Sequence, residues 1–93
     1  MRPAVIKRRR GQKLPEGAVY IGRPSRWGNP FKISKDVSRE QTIELYREHL
    51  AQHPELVDDL ARRKPTGLAC WCAPLPCHGD LLADALERRS RDA

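Results

Sequence analysis

The sequence predicts an α/β fold: a small single domain with a short, at least partly parallel sheet and helices packed against it, in the order β-β-α-α-β-α. Three observations lead there. The chain has 93 residues, enough for one domain with a modest core. Short apolar or β-branched runs at 4–8, 17–22 and 68–72 read as strands, and Gly and Pro punctuate the chain around them. Apolar residues at helical spacing fill the interval between the second and third runs and return after the third.

Taken in order, Val5 and Ile6 supply the buried part of the first strand, which runs into Lys7-Arg8-Arg9-Arg10. Gly11 and Pro15-Glu16-Gly17 mark loop and turn. Ala18-Val19-Tyr20-Ile21, between two glycines, is the clearest strand of the first half. A connection of about sixteen residues follows, 22–37, against a usual loop length of about five. Ser38-Arg39-Glu40-Gln41 is a capping-box pattern, and Ile43, Tyr46 and Leu50 form the stripe of the helix it starts. His49 on that helix is expected at its surface or edge. Pro54 suits the first turn of a second helix, whose stripe is Leu56, Val57, Leu60 and Ala61, and Arg62-Arg63-Lys64 with Pro65 end it. Leu81, Leu82, Ala85 and Leu86 mark a last helix. One domain therefore spans 1–93, with a basic segment at 1–16 and a charged tail at 88–93 expected to fray.

Net charge is +6, unevenly placed. Residues 1–35 hold ten Lys/Arg and one acid, a net of +9, whereas residues 36–93 hold eight Lys/Arg and eleven Asp/Glu, a net of −3. A polyanion or phosphate would be drawn to the N-terminal third; a solvated, solubilising face is the plainer alternative. No run approaches the roughly 18 apolar residues of a membrane span, and no signal-peptide pattern opens the chain. The expected setting is cytoplasmic, with thiols reduced and no membrane contact. Three cysteines also cannot all pair within one molecule.

Strands separated by helices join through right-handed crossovers and lie parallel, and in such sheets the ligand crevice lies beyond the carboxyl ends. That topology sets Arg23, Ser25, Arg26, Trp27 and Asn29, in the loop after the second strand, opposite Cys72, Cys77 and His78, in the turn after the third. Arginines beside an aromatic suit phosphate and ring recognition, although the same loop also reads as a structural Ω-loop tucked down by its aromatics. The start of the last helix favours an anion and a lowered thiol pKa at Cys77. Asp80, in the first turn, reads first as a capping acid and otherwise as part of the site. For the cysteines three readings stand: buried small apolar residues, zinc ligands with His78, or a thiolate nucleophile at Cys72 or Cys77. The C-x-C-x4-C-H spacing lacks the usual zinc-knuckle spacer, so no metal is assigned.

The two motifs Tyr20-Ile21-Gly22-Arg23-Pro24-Ser25-Arg26-Trp27-Gly28-Asn29-Pro30-Phe31 and Leu68-Ala69-Cys70-Trp71-Cys72-Ala73-Pro74-Leu75-Pro76-Cys77-His78-Gly79-Asp80 closely resemble the family catalogued as domain of unknown function 4326, common in bacteria and their phages. The resemblance covers roughly residues 4 to 87, with no departure at the motif positions, and it brings no named activity. The Cys, Cys-His and apolar-helix tail is also similar to the domain of unknown function 488 family, which implies a shared site design around Cys70, Cys77 and His78.

The expected function is therefore binding of a phosphorylated small molecule or a nucleic-acid end between the two loops. Arg23 and Arg26 would hold phosphate, Trp27 would stack on a ring, Asn29 and Ser25 would orient polar groups, and Cys72, Cys77 and His78 would supply any chemistry. No cofactor is implied. Two alternatives belong to other classes: a non-catalytic nucleic-acid-binding module resting on Lys7, Arg8, Arg9 and Arg10, and a zinc-stabilised interaction domain.

Overall fold

The computed structural model describes residues 2–23, 25–71 and 77–92. Its elements are β1 (Ala4–Lys7), β2 (Ala18–Tyr20), α1 (Arg39–Gln52), α2 (Pro54–Arg62), β3 (Gly67–Cys70) and α3 (His78–Asp92). The order is the expected one, and the strands are shorter than their apolar runs. The three strands form one sheet in the order β1-β3-β2, with both pairings parallel. Val5 and Val19 both stand in register with Leu68.

The centre goes to β3 because Gly-Leu-Ala-Cys carries nothing that needs water. All four of its residues are buried, as an inner parallel strand requires. β1 and β2 keep charged or polar neighbours and take the edges. Thr66 fastens the entry to β3, its amide donating to Gly17 O at 3.0 Å and its hydroxyl to Glu16 O at 3.1 Å. α3 lies against β1 and β3, and α1 and α2 pack on α3. Tyr46, Ile21, Leu60, Leu68, Leu82 and Cys70 are the largest fully buried side chains among the described residues.

The capping box forms as the sequence implies. Ser38 Oγ accepts from the Gln41 amide at 3.2 Å, and Gln41 Oε1 accepts from the Ser38 amide at 2.7 Å. α2 has Pro54 in its first turn and buries Leu56 and Leu60. α3 continues to Asp92, through the segment expected to fray. Arg91 pairs with Glu87 one turn back, and Arg89 reaches Asp58 on α2, so the tail has partners both along the helix and across it. Among the described residues no helix is long and apolar enough to cross a membrane.

Candidate functional site

All three strands point the same way, so their carboxyl ends share one edge, and a cleft of about 630 Å³ opens there. One side comes from the connection after β2 and the start of α1: Arg23, Asn29, Phe31, Lys32 and Arg39. The facing side comes from the end of β3 and the start of α3: Cys70, Trp71, Cys77 and His78. Of the residues that topology set opposite one another, Arg23 and Asn29 thus share this cleft with Cys77 and His78.

The long connection holds its shape because several of its polar groups bond to the helices. Trp27 is 5% exposed, its Nε1 donates to Leu56 O at 2.9 Å, and Arg63 lies over its ring. Tyr46 donates its hydroxyl to Trp27 O at 2.6 Å; burial pushes that phenol far above its ordinary pKa, which keeps it a donor. Asn29 Oδ1 accepts from the Phe31 amide at 2.9 Å and its Nδ2 donates to Thr42 O at 3.3 Å. Trp27 therefore tucks the loop down, as the Ω-loop reading expects, while Arg23, Asn29 and Phe31 line the cleft.

These contacts correct several assignments. Trp27 has no open face for a ligand ring, because its indole fills the space between the loop and α2. Arg26 does not line the cleft; its guanidinium is 2.6 Å from Asp59 on α2. Ser25 turns its hydroxyl inward, where it has no hydrogen-bond partner among the described residues. Asp80 accepts from the Cys77 amide at 3.2 Å, and Cys77 Sγ accepts from the Gly79 amide at 3.3 Å, a reciprocal cap on α3. Asp80 is thus the capping acid rather than a lining group. Cys72 lies outside the described residues.

Aromatic surface comes instead from residues that the sequence pattern did not single out. Trp71, just past the last residue of β3, is 50% exposed. Its Nε1 donates to Tyr20 Oη at 2.9 Å, and Tyr20 in turn donates to Arg23 O at 2.6 Å. Gly22 permits this, since a Cβ there would sit 2.5 Å from the Tyr20 hydroxyl. Tyr20, Phe31 and Trp71 all line the cleft, as do the cations Lys32 and Arg39 beside Arg23. No Asp or Glu is among the described lining residues. Alternation along the strand sets Trp71 on the opposite face from Cys70, but that pattern alone does not say which face stays uncovered.

His78 lies at the buried end of the cleft, 7% exposed. Its Nε2 is 2.8 Å from Ile21 O, and since a carbonyl only accepts, Nε2 carries the hydrogen and Nδ1 the lone pair. The ring stands edge-on to Tyr46 at 5.0 Å between centroids. Burial lowers its pKa, outweighing the Ile21 bond; Arg23 lowers it further and Asp80 opposes. His78 is neutral at pH 7, held in one tautomer. Cys70 and Cys77 are buried, with their sulfurs 3.3 Å apart. Among the described residues no group of three His, Cys, Asp or Glu is placed to hold a metal ion.

Fold and cleft together define a class, a small parallel α/β domain with a cationic, aromatic-lined cleft at the carboxyl edge of its sheet. A family model described as Domain of unknown function (DUF4326) matches residues 4–88, and the chain belongs to that family. It is 34% identical over 79 residues to the "Uncharacterized 12.4 kDa protein in nrdA-td intergenic region" of Enterobacteria phage T4, across 80% of this chain and 71% of the phage protein. No solved structure matches the chain significantly.

Proposed function

We propose that the cleft binds a phosphorylated ligand carrying a flat ring, a nucleotide, nucleoside phosphate or nucleic-acid end, and that His78 supplies the chemistry of any reaction there. One observation carries this reading: Arg23, Lys32 and Arg39 converge on a cleft with no carboxylate among its described lining residues, while Tyr20, Phe31 and Trp71 offer ring surface. Cations without acids favour a phosphate, and aromatic faces favour a base. The cleft volume, about 630 Å³, suits a ligand of that size.

A neutral imidazole with a fixed Nε2–H can accept a proton at Nδ1 from a water or hydroxyl attacking the bound ligand. Transfer or hydrolysis assisted by His78 is therefore favoured over attack by Cys77, whose sulfur is buried and engaged in the helix cap. Likeness to the domain of unknown function 488 family, with Cys70, Cys77 and His78 as a shared site design, belongs to the same reading.

Titration with nucleoside monophosphates, followed by tryptophan fluorescence, tests it. Binding should quench Trp71, the exposed indole, and Trp71→Phe should abolish the signal. Arg23→Ala should weaken binding by roughly tenfold, the scale of removing a charge-assisted hydrogen bond of about 1.5 kcal/mol. Arg26→Ala should leave it unchanged, because that guanidinium is engaged with Asp59. Equal effects of the two variants, or no binding at millimolar ligand by a calorimetric readout, would remove the proposal.

A further inference from the structure

The three parallel strands bring more than the cleft to one edge. β1 ends there too, and the residue after it, Arg8, donates its amide to Cys70 O at 2.7 Å. The basic segment therefore leaves the sheet beside a residue that lines the cleft. Arg8 joins the two regions physically: its guanidinium lies 4.5 Å from the Tyr20 ring centroid and 5.6 Å from that of Trp71. Through Tyr20 the same cluster reaches the Arg23 backbone. Arg8, Trp71, Tyr20 and Arg23 thus form one fixed step from the basic segment into the cleft.

Cations elsewhere on the surface are partly paired, with Lys64 and Arg88 exposed and outside any ion pair among the described residues. Arg2, Arg47, Arg62, Arg89 and Arg91 each have a carboxylate partner. Lys7, Arg9 and Arg10 are exposed and have no ion pair among the described residues. They are the chain neighbours of Arg8, whose amide holds the segment to Cys70 at the cleft. Trp71 stays half exposed although its indole N–H is satisfied, so the ring is fixed in place with surface left uncovered.

We infer that the partner is a single-stranded nucleic acid held by a phosphate-bearing end, an inference that rests on the cleft reading above. The terminal phosphate sits with Arg23 and Lys32, the adjoining base lies against Trp71, and the backbone leads away along Arg8, Lys7, Arg9 and Arg10. A row of cations following a stacking ring is how single strands are tracked without sequence preference. Interior bases of a duplex are stacked on both faces, and the backbone beyond the terminal pair is held in the helix, so a strand free to follow the basic segment favours the unpaired form. A mononucleotide would leave the basic row unused.

Fluorescence anisotropy with labelled ten-nucleotide DNA and RNA strands tests this, each strand bearing a 5′ phosphate, a 3′ phosphate or neither, with a nucleoside monophosphate as competitor. A phosphate-ended strand should bind roughly tenfold or more tighter than the mononucleotide, and the two phosphate positions tell which end is held. Arg9→Glu with Arg10→Glu should erase that advantage while mononucleotide binding persists. The slope of log affinity against log salt should flatten by about 0.7 for each phosphate that the variant no longer neutralises. Arg23→Ala should erase the preference for a phosphate end. Strand and mononucleotide binding alike, with the double variant silent, overturns the inference and leaves the cleft reading standing. Strand binding that ignores both the end phosphate and Arg23 also overturns it, leaving a basic surface only. Absence of mononucleotide binding in a protein with native circular dichroism overturns the cleft reading as well.

Discussion

His78 is the residue whose surroundings most constrain what the cleft can do. It is enclosed by Tyr46, by the Ile21 carbonyl and by the start of α3, with Arg23 adding repulsion to its protonated form. Its folded pKa lies below the ordinary 6.5, so between those two values the unfolded chain binds more protons than the folded one. Stability therefore rises with pH through that window and is lost on acidification. Melting temperatures taken from pH about 7.5 down to about 5 should fall, and His78→Gln should show a shallower fall. An unchanged slope in the variant would assign the pH dependence to other groups. The tryptophans divide at the same scale. Trp27 and Trp71 look alike in sequence, each followed by a small residue in a motif, yet one is core and the other surface. Composition and spacing cannot separate them, because the difference is which element packs on each ring.

Among the elements, α3 joins the core to the cleft, and its first turn shows how. Cys77 and Asp80 cap the helix reciprocally, and Gly79 lets it approach the sheet closely. A Cβ at residue 79 would lie 2.9 Å from Ile21 Cδ1, 3.1 Å from Val5 Cγ1 and 3.3 Å from Cys77 Sγ. Gly→Ala within a helix is ordinarily stabilising by up to about 1 kcal/mol. Here the overlap is with buried or stiff neighbours, and overpacking of that kind costs about 1–3 kcal/mol. Gly79→Ala should therefore lose about 1–2 kcal/mol in urea unfolding. A gain in stability would mean that α3 sits too far from Ile21 and Val5 for the added methyl to touch them. The capping box of α1, the proline of α2 and the apolar stripes of all three helices were legible in the sequence, since each depends on residues within a turn or two of one another. The cap at Cys77 was half legible: Asp80 read as a capping acid, but the sulfur as its acceptor partner did not.

At the scale of the whole molecule, the sheet collects at one edge groups that are far apart in the chain. Arg8, Tyr20, Arg23, Trp71 and His78 meet there because β1, β2 and β3 run parallel, and β3, last in sequence, inserts between the first two. Arg8 of the basic N-terminal segment consequently meets the cleft residues Tyr20 and Trp71. Acrylamide quenching checks this placement without any ligand. The emission should resolve into one accessible and one protected population, in line with exposures of 50% for Trp71 and 5% for Trp27. Trp71→Phe should leave only the protected one. Two equally quenchable indoles would mean that the loop is not seated on α1 and α2.

The sequence by itself determined the element order, the helix starts, an at least partly parallel sheet and the carboxyl edge at which Arg23 and Asn29 come opposite Cys77 and His78. Those follow from local periodicity, capping chemistry and the handedness of crossovers, which act over short stretches or apply to any chain of this pattern. Only the tertiary structure decided that Trp27 and Arg26 turn toward α2, that Trp71 replaces Trp27 as the open ring, and that Lys32 and Arg39 join Arg23. A loop side chain chooses its direction by which distant carbonyl or carboxylate it finds, Leu56 O for Trp27 and Asp59 for Arg26, and that choice exists only once the helices are in place.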